Sequence, residues 1–454
     1  MFSIDYKWRA LISVGFGSFM ATLDFGIIGI ALPRLADEFK EPPDVIAWVA
    51  LTHSLVVTGL TLTAGRAGDL FGRKRVYLSG YALFTLGLCA SPFSSSIGEL
   101  IATRLVQATG IAMAIANSNA IVLDAFPDRE RGRVLGLVTS IVGAGLMSGP
   151  AVGGLILGSM DWPAIFYLRI PIGIVVLVLG WSQLRNSGGQ GHGARLDVPG
   201  ALSMFFALTS LIIVVNRGTA WGWESIQTLG VAGTGITLLL VFLWVESRSS
   251  SPVLSLELLR TRRFSIPISS QTLVFMAQAG VVFSMPFYLI DVRQFSPGRS
   301  GLIVSTVSLM LLLLAPLSGL LADRFKSPLQ PTVGIVLVAL SLYSMGWLDG
   351  ATPEPYILIR LAVIGLGLSI FGPANSSLIF ASVPREIHGT ASASIATARN
   401  IGTAFGIGIY SVALTNSQSL MAGVTSAFAV AAWVAFGALS ISVYRVATEL
   451  SRRH

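Results

Sequence analysis

Gly65-Arg66-Ala67-Gly68-Asp69-Leu70-Phe71-Gly72-Arg73-Lys74-Arg75 stands between two apolar segments, each long enough to cross a bilayer. The stretch holds three glycines, one acid and four cations. Glycines let two helices approach closely and turn sharply. Cations concentrated in so short a connection belong on the cytoplasmic side of a membrane. The stretch therefore reads as a tight cytoplasmic hairpin between two spans.

Composition agrees with that reading. Of 454 residues, 53% are hydrophobic and 11% charged, where a soluble domain carries roughly 25% charged residues. Long apolar runs with few charges mean an all-α polytopic membrane protein. The net charge of +8 sits mostly in short connections, so it reports topology and not a nucleic-acid partner. The single cysteine, Cys89, lies in an apolar run, which excludes a disulfide framework and a cysteine metal site. Four scattered histidines have no metal-ligand spacing, so neither metal nor cofactor is expected. The sequence has no Gly-x-x-x-x-Gly-Lys-Ser/Thr phosphate loop, so ATP is not the expected energy source. The N-terminus leads directly into a long span, read as an uncleaved first helix.

Apolar stretches of spanning length recur at 11–33, 46–65, 76–95, 99–123, 133–157, 164–184, 199–216, 226–246, 264–290, 300–322, 329–348, 355–380, 389–414 and 422–446. Fourteen spans put both termini on one side. Four arginines lie well inside spans: Arg104, Arg169, Arg360 and Arg399. Arg34, Lys40, Arg217, Arg293 and Arg299 fall on the far side, and the other 21 of the 30 Lys and Arg residues share the side of the termini. That bias predicts cytoplasmic termini.

The chain also repeats itself. Arg104, Asn119, Arg129 and Glu130 recur as Arg360, Asn375, Arg385 and Glu386, all at an offset of 256 residues. Gly65 and Asp69 recur as Gly319 and Asp323, and Gly145 and Gly149 as Gly402 and Gly406. The paired spans run the same way through the membrane. The prediction is two six-helix bundles, residues 1–184 and 264–454. Linkers and two inserted helices occupy residues 185–263. Halves related by an axis along the membrane normal suit alternating access, with the site at their interface.

Asp24 lies inside the first span, where an ionised carboxylate needs a cavity or a partner. At about 1.5 Å per residue it sits roughly 21 Å in from the cytoplasmic edge, and Arg104 roughly 9 Å below the outer edge. These depths nearly match, so the two are expected to interact. Burial and a neighbouring guanidinium act in opposite senses on the carboxylate's proton. Such a group suits proton coupling; the plain alternative is a static ion pair, a poor way to gain stability. Gln107 follows Arg104 on the same helix face. Arg399 lies near mid-depth and is open to three readings: a substrate contact, a partner for Asp24, or a donor to backbone carbonyls. Arg169 is placed near the outer end, where it can snorkel. Phe16, Phe19, Met20, Phe25, Trp48, Phe275, Met276, Phe283, Met285 and Phe287 could line a greasy cavity. Asp69 and Arg73, with Arg129 and Arg133 on nearby loops, could lock the halves on the cytoplasmic side.

Several of these stretches resemble one family. Gly65, Asp69, Gly72, Arg73 and Lys74 fit the signature loop of the major facilitator superfamily, Gly-x-x-x-Asp-x-x-Gly-Arg-Arg/Lys. Leu23-Asp24 through Ala31-Leu32-Pro33 resembles the first-helix signature of its drug:proton antiporters, with glycines where Thr and Asn are usual. Arg104-Leu-Val-Gln107-Ala-Thr-Gly110 resembles their Arg-x-x-Gln-Gly-x-Gly. Gly145-x-x-x-Gly149-Pro150-x-x-Gly153-Gly154 resembles the antiporter signature of the fifth helix. Phe166-Tyr-Leu-Arg169-Ile-Pro171-Ile-Gly173 resembles the family's Phe-Leu-Ile-Asn-Val-Pro-Ile-Gly, with Arg169 where Asn is usual. Gly389-Thr-Ala-Ser392 with Arg399-Asn400-Ile401-Gly402 resembles the thirteenth helix of its 14-span exporters.

The resemblance implies a proton-coupled multidrug exporter. It would carry lipophilic, singly charged cationic compounds across a bacterial inner membrane, as a monomer driven by the proton gradient. It implies proton coupling through Asp24 and Arg104. Asp24, Gln107, Asn119, Asn375 and Arg399 would face the substrate, and Gly65, Asp69, Gly72, Arg73 and Arg129 would form the cytoplasmic gate. An exporter of lipids or of organic anions and metabolites with the same fold is the alternative, since Arg104, Arg360 and Arg399 outnumber the acids. A non-transporting sensor has no loop long enough for a signalling domain, and no nucleophile–base pair suggests an enzyme.

Overall fold

The structure is a computed structural model that describes residues 5–127, 130–185, 198–248, 256–325, 329–384 and 388–451. The described residues form helices and no strand. The first six long helices are α1 (Tyr6–Phe39), α2 (Pro43–Phe71), α3 (Arg73–Ala90), α4 (Ile97–Ala125), α5 (Arg131–Ser159) and α6 (Ile170–Gln183). Two follow as a pair, α7 (Val198–Trp221) and α8 (Ile226–Arg248). The last six are α9 (Arg262–Phe287), α10 (Pro297–Phe325), α11 (Gln330–Met345), α12 (Glu354–Ala381), α13 (His388–Thr415) and α14 (Leu420–Ser451).

Among the described residues, twelve helical segments are long and apolar enough to cross a membrane, not the fourteen expected. The two that fall short are α11 and α13. Helix α11 has only 16 residues. Helix α13 has the length, 28 residues, but Ser, Thr, Arg399 and Asn400 dilute its apolar character.

The opening stretch is less of a loop than its glycines suggest. Gly65 through Phe71 continue α2, and a single residue, Gly72, makes the turn into α3. Its φ of 97° is a conformation that favours glycine. Pro42 and Pro43 open α2, where a missing N–H costs nothing. Ser96 caps α4 by accepting from the Glu99 N–H at 3.3 Å, while the Glu99 carboxylate accepts from the Ser95 N–H at 2.7 Å.

Packing repeats along the chain. Helix α1 packs on α5 as α9 packs on α13, and α3 on α4 as α11 on α12. The α2–α4 and α1–α6 contacts have counterparts in α10–α12 and α9–α14. Close glycine crossings recur at the same places. A Cβ at Gly80 would lie 2.6 Å from the Gly110 carbonyl oxygen, and one at Gly334 2.6 Å from the Gly367 oxygen. Small residues let backbones approach where lipid supplies no hydrophobic drive between helices. The two sets meet along α5–α10 and α2–α13, with α1 touching α9. Helices α7 and α8 pack together, and α7 lies against α2 and α13, beside one of these seams.

Candidate functional site

Asp24 is fully buried in α1, and Arg104 of α4 is 1% exposed. The guanidinium grips the carboxylate with both arms, Nη1 to Oδ1 and Nη2 to Oδ2, each at 3.0 Å. Parallel N–H donors make this the strongest and most directional kind of charged pair. Arg104 also donates to the Val49 carbonyl at 3.3 Å and to Gln107 Oε1 at 2.6 Å. Gln107 in turn donates to Ser91 Oγ at 2.6 Å and the Gly87 carbonyl at 3.2 Å. Gln107 is 1% exposed, so it holds the arginine in place from behind.

Arg169 does not snorkel. It is 1% exposed and donates through Nη1 to Asp24 Oδ1. Its Nε donates to the Ile165 carbonyl at 2.6 Å, and its guanidinium lies over the Phe166 ring at 5.0 Å. The short helix Ala164–Tyr167 precedes it, and Arg169 stands immediately before α6. The side chain therefore turns into the bundle. His53 of α2 completes the cluster, with Nδ1 3.9 Å from Asp24 Oδ2. With His53 neutral, two guanidiniums face one carboxylate, and the cluster carries one surplus positive charge.

Two cavities flank Phe25 and Gly29 of α1 and Val282 of α9. One reaches Arg104, His53 and Ile407. The other runs between α1, α5, α9 and α10, with Gln278 and Ser308 among otherwise apolar walls. Of the aromatic and methionine side chains expected to line a cavity, Phe25 and Phe283 do so. Met20, Met285 and Phe287 are packed in the core instead.

On the side away from the termini both seams are sealed. A Cβ at Gly301 of α10 would lie 2.1 Å from the Pro150 carbonyl oxygen, and one at Gly154 2.2 Å from that of Pro297. At the other seam the Asp44 N–H donates to Thr415 Oγ1 at 3.1 Å. Arg217 of α7 pairs with the Asp44 carboxylate at 3.1 Å. Asn216 donates to the Asp44 carbonyl at 3.3 Å and to Ser411 Oγ at 3.1 Å, and accepts from Trp48 Nε1 at 3.4 Å. An inserted helix thus ties α2 to α13.

Residues 14–407 match the profile of the Major Facilitator Superfamily. The chain belongs to this superfamily. It is 34% identical to the riboflavin transporter RibZ of Clostridioides difficile, over 94% of both chains. It is 31% identical to the multidrug resistance protein Stp of Mycobacterium tuberculosis, over 88% of this chain and 74% of that one. It is 27% identical to the tetracenomycin C resistance and export protein of Streptomyces glaucescens, over 90% and 76%. In fold it is similar to a POT family transporter solved with 5-aminolevulinic acid. The TM-score is 0.73 at 13% identity, over 97% and 96% of the chains. The superfamily and these relatives are transporters, not enzymes, and the chain is a multi-pass membrane protein of that kind.

Within this superfamily member the fifth-helix glycines seat α5 against α1. A Cβ at Gly145 would meet Thr22 Oγ1 at 2.1 Å, one at Gly149 the Gly26 Cα at 2.7 Å, and one at Gly153 an Ile30 methyl at 2.7 Å. Gly154 and Pro150 turn to α10, so one motif serves both contacts. At the opposite end Arg73 pairs with Asp69 at 3.0 Å and Asp124 at 2.6 Å, tying α2, α3 and α4 together within one half. Gly65 faces Ala116. Asn117, absent from the sequence reading, donates to the Ala64 carbonyl at 3.1 Å beside Gly68. Arg129 lies outside the described residues, as does the side chain of Arg133. Asn119 is exposed. Its repeat partner Asn375 is buried and donates to the Pro267 carbonyl at 3.1 Å and Gln271 Oε1 at 3.0 Å. Arg399 is exposed and lines neither of the two cavities.

Proposed function

We propose that the chain exports lipophilic aromatic compounds in exchange for protons, by alternating access between two six-helix bundles. The observation that carries this reading is the buried cluster of Asp24, Arg104 and Arg169 behind the wall of an apolar cavity between the halves. A carboxylate held so expensively in the membrane marks a functional site, and Asp24 is the coupling group. In this reading α11 and α13 also span, giving fourteen spans. Their packing mirrors that of α3 and α5, which supports it. The bundles are residues 1–184 and 264–454, with 185–263 as the inserted segment. The termini are cytoplasmic in a bacterial inner membrane, as the cation bias supports, and the transporter acts as a monomer. The proton gradient is its energy source.

The surplus positive charge and the occupied carboxylate support uncharged aromatic substrates at least as well as singly charged cations. They offer little to organic anions, because Arg104 is already committed to Asp24. A second reading, transport of a flavin or similar aromatic metabolite, gains support from the 34% identity to RibZ and from Gln278 and Ser308 in the cavity wall. Proteoliposomes with a pH gradient separate the two. Accumulation of ethidium with indifference to riboflavin favours drug export; the reverse favours the metabolite. Accumulation of neither overturns both.

A further inference from the structure

We propose that His53 is the residue through which protons reach Asp24. This rests on the reading of Asp24 as the coupling carboxylate. Asp24 has no exposed surface. Its Oδ1 accepts from Arg104 and Arg169, and its Oδ2 from Arg104. What remains beside Oδ2 is His53, with Nδ1 at 3.9 Å. His53 is 13% exposed and borders the cavity next to Arg104 and Ala50. It thus spans the gap between the cavity and a carboxylate the cavity does not reach.

The groups facing His53 leave it this role. From α1 come Asp24 and the Phe25 ring, the latter with centroids 6.0 Å apart. From α4 comes Arg104, and Arg169 stands behind the carboxylate. From α9 and α13 the cavity presents Val282, Phe283 and Ile407, none of which titrates. Arginines do not give up their protons. Histidine is the side chain whose ordinary proton affinity is balanced near neutral pH. Among the described residues no group hydrogen-bonds the ring nitrogens of His53, which leaves Nδ1 free to approach Asp24 Oδ2.

The step is a proton transfer. The imidazole takes a proton from the cavity. The Nδ1–H bond then breaks as an O–H bond forms on Asp24 Oδ2, leaving neutral imidazole and a neutral carboxyl. At 3.9 Å the pair is not hydrogen-bonded, so the ring must first approach by about 1 Å. Neutralising Asp24 removes the charge that holds Arg104, which then couples protonation to helix movement.

The test uses the full chain in proteoliposomes, with ethidium and riboflavin as probes. Gradient-driven accumulation is measured from about pH 5.5 to 8, beside counterflow, which needs no gradient. The proposal expects His53→Gln to lower driven accumulation at least about fivefold more than it lowers counterflow. Driven accumulation should fall at least about tenfold and lose its pH dependence. A His53→Gln variant with the wild-type pH profile, when Asp24→Asn has lost coupling, overturns the role of His53 and leaves that of Asp24. An Asp24→Asn variant that stays coupled, or a wild type that moves neither probe, overturns the underlying reading. His53→Asn keeps a polar atom near the Nδ1 position; if both variants lose counterflow as well, His53 is structural and the proposal falls.

Discussion

Arg169 reaches Asp24 from the turn before α6, so the only carboxylate in the cluster answers two buried arginines. Removing that carboxylate strands both. Breaking a buried pair costs about 3–5 kcal/mol, and Asp24→Asn should lower the thermal unfolding temperature more than any other single change in the cluster. Arg169→Asn leaves the two-armed Arg104 pairing intact and should cost less. The double variant Asp24→Asn/Arg169→Asn should be more stable than Asp24→Asn alone. Unfolding of the detergent-solubilised protein, followed by size-exclusion chromatography after heating, checks the order. Asp24→Asn as stable as wild type would contradict the pairing.

Gly149 faces the α1 backbone with no room for a side chain. A Cβ there would lie 2.7 Å from Gly26 Cα and 2.9 Å from the Leu23 carbonyl oxygen. Gly149→Ala should destabilise by about 1–3 kcal/mol through overpacking. Gly233→Ala, with nothing within 4 Å, should be neutral or slightly stabilising, because alanine favours helix. The same heating assay compares them.

The far-side seam depends on α7. Arg217→Ala and Asn216→Ala each remove contacts to Asp44 or Ser411. A loss of about 1–2 kcal/mol would raise the ratio of open to closed far side by about 5–30-fold. Spin labels at Lys40 and Gln418, in a Cys89→Ser background, report that opening as a new long-distance population. Distances unchanged from wild type would mean that α7 takes no part in closure.

Much of this was legible in the sequence, and for physical reasons. Counting helical rise put Asp24 and Arg104 at matching depth, and they pair. The offset of 256 residues anticipated the mirrored packing. Arg169 escaped because a straight sixth span would have left it at the lipid edge; the break between Tyr167 and Ile170 turns it inward. His53 carried no signal beyond being an ionisable residue inside α2, since its partner lies on another helix. Arg217 was visible as one of five cations on the far side, an exception to the charge bias, and its partner Asp44 opens the second helix. The two expected spans that fall short among the described residues do so on length or polarity: α11 is short, and α13 is long but carries Arg399 and Asn400.

The central claim is that Asp24 exchanges its proton to drive transport. The most direct measurement is accumulation of ethidium and riboflavin in proteoliposomes with an acidic interior, for wild type and Asp24→Asn. The account predicts that the gradient drives uptake of at least one probe by wild type and of neither by the variant, while the variant still catalyses counterflow. Equal gradient-driven uptake by the variant would contradict it.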